Sequence, residues 1–205
     1  MGNRLRALLV IATFLICAAP ARSGVLVDTF GPGNSYDHGN GWAVGNYLAP
    51  HPFNAVLAVA APFTLASAGT IDDVAVATHH NAEYSLVIAA DIAGLPGTIL
   101  GTVSGGLSAD GYIEFDPSIT LAAGTYWLVL RSGDQGGWLE NDIGATGPFA
   151  GSATDGATWF ISSRTELPAY RVGAAITVPE PGTLAIFSAA LVAFGVFRRK
   201  AAMNS

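Results

Sequence analysis

Gly111-Tyr112-Ile113-Glu114-Phe115-Asp116 decides the reading of the fold. Ile113 and Phe115 alternate with Tyr112, Glu114 and Asp116, the period-2 pattern of a strand with one face in a core and one in water. The same alternation recurs on both sides of it. Tyr126, Leu128 and Leu130 alternate with Trp127, Val129 and Arg131; Tyr84, Leu86, Ile88 and Ala90 form one face of another run; Val74, Val76 and Thr78 alternate with Asp73, Ala75 and Ala77. Further strands are expected at 56–65, 98–103, 158–162 and 170–176. Turn chemistry separates them at Ser67-Ala68-Gly69, Leu95-Pro96-Gly97, Ala109-Asp110-Gly111, Ala122-Ala123-Gly124 and Ser132-Gly133-Asp134. Pro-Gly combines a fixed φ with a residue that tolerates φ > 0, the demand of a type II turn. Short strands at this spacing predict an all-β domain, an antiparallel β-sandwich of jelly-roll-like form, over residues 24–177.

The ends of the chain are of another kind. Met1-Gly2-Asn3-Arg4-Leu5-Arg6 is followed by a thirteen-residue apolar run, Ala7 to Ala19, and then by Pro20-Ala21-Arg22-Ser23. A basic start, a short apolar run and small residues after it describe a signal peptide over residues 1–23, cut after Ala21 or Ser23. The run is shorter than the roughly 20 residues that span hydrocarbon, which favours cleavage over an uncleaved anchor. At the other end, Val178-Pro179-Glu180-Pro181-Gly182 precedes an uncharged apolar stretch, 183–197, and then Arg198-Arg199-Lys200. Fifteen helical residues reach about 22 Å at ~1.5 Å each, short of a ~30 Å hydrocarbon core, and the three cations snorkel to make up part of the deficit. Their position predicts one transmembrane helix with a cytoplasmic tail and the domain on the exported side.

The tail, residues 178–205, resembles the PEP-CTERM sorting signal: Val-Pro-Glu-Pro, a short apolar stretch and Arg-Arg follow one another in that order and spacing. The resemblance implies recognition by an exosortase-type sorting enzyme in a Gram-negative bacterium, a membrane stage through the C-terminal helix, and association with exopolysaccharide systems. Carried over by position, Val178, Pro179, Glu180 and Pro181 form the sorting motif, with Arg198 and Arg199 as the stop. The catalytic cysteine belongs to the enzyme, not to this chain. A plain tail anchor is the rival reading. Within the domain, 62–66, 95–100, 121–128 and 169–172 resemble the choice-of-anchor R family, which implies a surface location and assigns no chemistry.

Composition narrows the function. Only 12% of the 205 residues are charged. Between Gly24 and Thr177 the basic residues are Arg131, Arg164 and Arg171, three against fourteen carboxylates, a net of −11. That field repels phosphate backbones, so no nucleic-acid partner is expected. Cys17, the single cysteine, lies in the apolar run that cleavage removes, so the mature chain is expected to have no disulfide and no thiolate site. His79-His80 near Glu83 has no ligand spacing and reads as a solvated hairpin turn. Asp72, Asp73, Asp134, Asn141 and Asp142 supply oxygens of the kind calcium takes, but lack its loop motifs, so neither metal nor cofactor is expected. No Gly-x-Ser-x-Gly, phosphate loop or His-Glu-x-x-His occurs, and no catalytic residue is assigned.

One loop pattern suggests a ligand. Asp37-His38-Gly39-Asn40-Gly41-Trp42 and Asp134-Gln135-Gly136-Gly137-Trp138 each place a tryptophan behind polar, glycine-rich residues. Trp42, Trp138, Asp37, Asn40, Asp134 and Gln135 therefore form a candidate sugar site, an aromatic face beside oriented hydrogen-bonding groups, for an extracellular polysaccharide. The rival is that the tryptophans cap the core. Three functions follow: an exported, sorted surface or matrix protein without catalysis; a carbohydrate-binding module; or a secreted hydrolase with an unrecognised site. N-terminal sequencing of protein from its native host is expected to begin at Arg22 or Gly24, and a start at Met1 or Gly2 would refute cleavage.

Overall fold

The computed structural model describes residues 21–48, 50, 54–79, 82–108 and 111–177. The apolar run 7–19, residues 178–181, the apolar stretch 183–197 and the basic residues 198–200 lie outside them, while the last three residues of the expected signal peptide, Ala21–Ser23, open the first strand. A compact unit runs from Arg22 to Ile176. Its strands are β1 (Ala21–Asp28), β2 (Asp37–Tyr47), β3 (Ala55–Leu65), β4 (Gly69–His79), β5 (Ala82–Ile92), β6 (Leu95–Ser108), β7 (Gly111–Phe115), β8 (Ile119–Leu121), β9 (Gly124–Ser132), β10 (Gln135–Glu140), β11 (Ala150–Ser152), β12 (Phe160–Ile161) and β13 (Tyr170–Thr177). The described residues contain no helix.

These strands make one large sheet in the order β1-β13-β4-β10-β2-β3-β9-β5-β6, with β7 and β8 on β4, β11 on β3 and β12 on β11. The strand pairings that carry it are antiparallel, and the all-β antiparallel expectation holds. The sheet is continuous because β2 changes partners. Its Gly41–Gly45 segment pairs with β10 and its Gly45–Tyr47 segment with β3. At the change-over Gly45 has φ +108°, and a Cβ there would lie 1.8 Å from the Asp134 carbonyl oxygen.

One side-chain cluster is shared by strands on both sides of that change-over. Val44, Val74, Val76, Trp138, Tyr170 and Val172 come from one part of the sheet, and Val59, Phe63, Leu86, Ile88, Leu128 and Leu130 from the other. Ile113 and Phe115 of β7 join it while Tyr112 and Glu114 face outward, as the alternation predicted. In β5 and β9 the opposite face is buried too: Val87, Ala89, Trp127 and Val129 form a second cluster, with Leu95 and Trp159 packed on it. The segment carrying Trp159 is held by the Asp155 N–H on the Val56 carbonyl (3.0 Å) and by Arg131 facing Asp155 (3.6 Å).

Two tyrosine hydroxyls tie the parts of the sheet together. Tyr170 on β13 donates to the Pro62 carbonyl on β3 (2.8 Å). Tyr84 on β5 donates to the His79 carbonyl and accepts from the Gly137 N–H of β10 (3.0 Å).

Several local expectations are corrected. The turn placed at Leu95-Pro96-Gly97 lies at Ala93-Gly94, where both residues have positive φ (55° and 80°), the signature of a type I′ hairpin. Residues 95–97 begin β6, which ends the sheet order, a position where proline's missing N–H is tolerated. The strand expected over 158–162 shrinks to Phe160–Ile161. His79 ends β4 and does not open a hairpin, because β4 and β5 are not neighbours in the sheet; His80 lies outside the described residues.

Burial pushes the Tyr170 hydroxyl well above its ordinary value of 10.0, so the unfolded chain ionises there before the folded one does. The resulting stability is complete below pH 10 and is lost as the pH rises beyond it, and Tyr170→Phe is expected to flatten that alkaline slope in denaturant titrations. Gly94→Ala, in open space at φ +80°, is expected to cost only the left-handed penalty of ~1–2 kcal/mol. Gly45→Ala adds a backbone clash, worth a further ~1–3 kcal/mol.

Candidate functional site

The two tryptophan segments expected in loops are strands, and they are neighbours: Trp42 on β2 lies opposite Trp138 on β10. They differ in exposure. Trp138 is fully buried (0%), its indole N–H donates to the Ala169 carbonyl at 3.0 Å, and its ring meets Tyr170 edge-on at 5.9 Å. No face of it is open to a sugar. Trp42 is half-buried, edge-on to Phe149 at 4.7 Å, with the Arg164 guanidinium 4.9 Å from its ring centre. Arg164 is held there by Glu140 at 2.8 Å, a carboxylate otherwise buried. The Trp42 indole nitrogen is buried without a hydrogen-bond partner.

The polar residues of the candidate site separate into two places. Asp37 pairs with Glu140 at one end of the β2–β10 ladder, and Gln135 pairs with Gly45 at the other. The five residue steps along β10 from Gln135 to Glu140 place Asp37 about 17 Å from Gln135, with Asp134 one residue further on. Asp37 and Asn40 do meet. The register slips between Leu139 and Glu140, so residues 38–40 bulge outward, and Asp37 closes the bulge by accepting from the Gly39 N–H (2.7 Å) and the Asn40 side-chain amide (2.8 Å). Those bonds, Asn40's first and Gly39's next, hold the Asp37 carboxyl below its ordinary range.

This bulge is one wall of an open hollow of about 240 Å³, lined by His38, Asn40, Trp42, Tyr47, His79 and Leu139 among others. Sequence reasoning missed the row of rings that leads to it. His38 lies 4.4 Å from Tyr36 with the rings tilted by 40°; Tyr36 meets Phe30 edge-on at 6.2 Å; Phe30 meets Tyr112 edge-on at 6.1 Å. Phe30 is buried among Ala75, Ala77 and Leu139 on the outer face of the sheet, with Tyr36 packed beside it. The outward phase of Tyr112 was legible; its meeting with residues far away in the chain was not. Among the described residues no three His, Cys, Asp or Glu side chains converge as metal ligands do, and no helix there is long and apolar enough to cross a membrane.

The model of the PEP-CTERM protein-sorting motif matches residues 177–200. It begins at the last residue of β13 and takes in Val178, Pro179, Glu180, Pro181, Arg198 and Arg199. Exosortases recognise this motif, which implies export and a membrane-anchored stage. A search of curated proteins finds no match to the chain.

Trp138→Ala is expected to cost ~3–5 kcal/mol through lost burial and a cavity. Trp42→Ala, at a half-exposed position, is expected to cost clearly less. Urea unfolding of both variants checks the order.

Proposed function

We propose that the chain is an exported protein sorted by an exosortase-type enzyme and delivered to the cell surface or exopolysaccharide matrix of a Gram-negative bacterium. The observation that carries this reading is the match to the sorting motif over 177–200. The signal-peptide pattern at 1–23 supports it. In this reading residues 24–177 are a jelly-roll-like sandwich of choice-of-anchor R type, closed through β2, without catalysis of its own. The basic residues 198–200 stop the apolar helix 183–197 on the cytoplasmic side.

A second reading concerns what the domain does once delivered: it holds a polysaccharide of the matrix. The exposed aromatic and amide side chains around the hollow at His38 and Asn40 favour it, since pyranose C–H faces stack on rings while hydroxyls bond to polar groups.

The sorting reading is tested at Glu180. A bare apolar anchor is indifferent to one carboxylate outside the membrane, whereas an enzyme that reads the motif loses a charge-assisted contact worth ~1.5–3 kcal/mol. Glu180→Ala is expected to leave export intact and block C-terminal processing, so protein accumulates in the membrane with Arg198-Arg199-Lys200 attached. Mass spectrometry of surface and membrane fractions, in a host carrying the sorting enzyme, reads the difference. Normal processing of Glu180→Ala, or wild-type protein that keeps 183–205, would make the segment a simple anchor.

A further inference from the structure

We propose that the outer face of the sheet carries a binding site for a neutral polysaccharide chain, with Tyr112, Tyr36 and His38 as its stacking surface and Asn40 and His79 as its polar end. The proposal rests on the reading of the domain as a polysaccharide-binding module, and it moves the site away from the tryptophans.

The argument begins with phase. Tyr112 pairs with Ala77, while its neighbour Ile113 points into the core. Ala75 and Ala77 belong to the outer cluster, and His79 follows them on β4 in the same alternation. Tyr112 and the hollow at His79 thus lie on one face. Tyr112 is 44% exposed, and Phe30, 6% exposed, is the buried ring on which both Tyr112 and Tyr36 lean. An anchored ring beneath two partly open ones fixes their positions before any ligand arrives, which lowers the ordering cost of binding. From Tyr36 the row steps to the exposed His38 and into the hollow beside Asn40. A row of rings ending in donors and acceptors suits an extended chain of sugar rings better than a single compact ligand.

Charge selects among polysaccharides. Arg171 on this face is engaged by Asp73 (3.4 Å), Glu114 (3.5 Å) and the side-chain oxygen of Asn34 (3.1 Å), and Arg164 beside Trp42 is engaged by Glu140 (2.8 Å). Asp37 adds a carboxylate that its hydrogen bonds keep ionised. A polyanion meets repulsion here, whereas a neutral chain does not.

The test is affinity electrophoresis of the full chain in detergent through gels that contain a soluble β-glucan, a galactomannan, a xylan or polygalacturonate. Wild-type protein is expected to be retarded by at least one neutral polymer and not by polygalacturonate. Tyr112→Ala and His38→Ala are expected to weaken that retardation about tenfold each, with unchanged circular dichroism, while Tyr112→Phe keeps it. If no neutral polymer retards the wild type, the site and the polysaccharide reading fall together. If the wild type is retarded and both alanine variants are retarded equally, the reading stands and this site does not. Stronger retardation by polygalacturonate would overturn the neutral ligand.

Discussion

Gly45 is the point at which one strand serves two neighbours, and the continuity of the sheet depends on it. Before Gly45, β2 pairs with β10; after it, with β3. A side chain at that position would meet the Asp134 carbonyl, whose oxygen instead accepts the Asn46 N–H at 3.0 Å. Because β2 crosses without a break, strands on both sides of it feed one core. Polar backbone between the parts of the sheet is not left stranded. Tyr170 and Tyr84 reach across with their hydroxyls, and a buried carbonyl or N–H without such a partner costs ~1–3 kcal/mol.

How much of this was legible follows from where each signal resides. β7, β9, β5, β4 and β13 announced themselves because alternation is a local consequence of one buried face. That same logic hides double burial: Val87 and Val129 are covered only because a distant segment carrying Trp159 folds over them. β2 and β10 were invisible as strands. Gly39, Gly41, Gly45, Gly136 and Gly137 give them the composition of loops, and tertiary pairing, not propensity, makes them extended. Pro96-Gly97 misdirected the hairpin by two residues for a related reason. The turn that forms, Ala93-Gly94, has a weak sequence signature, while a proline in β6 costs little where no neighbour requires its N–H.

The candidate site divides along the same line. Asp37 and Asn40 lie three residues apart, and their contact is local, so they were found together. Trp138 was misplaced because its burial depends on Tyr170 and the Ala169 carbonyl, thirty residues on. The row from Tyr112 to His38 is assembled by Phe30, which no spacing rule connects to either. The C-terminal sorting motif, by contrast, was readable outright, because it is recognised as a linear pattern and needs no fold to be assembled.

Electrostatics joins the two kinds of information. The three arginines between Gly24 and Thr177 face carboxylates: Arg131 with Asp155, Arg164 with Glu140 and Glu166, Arg171 with Asp73 and Glu114. None is left as an unopposed cation, and the remaining carboxylates give the domain a surface of one sign. Such a surface keeps copies apart and soluble, but it gains nothing from an anionic membrane or polymer, and salt screens what field there is within ~10 Å. The segment matched by the sorting motif carries Arg198, Arg199 and the only lysine, Lys200. The charges thus divide along the chain: carboxylates outnumber cations between Gly24 and Thr177, and three cations cluster in the segment that the sorting motif matches.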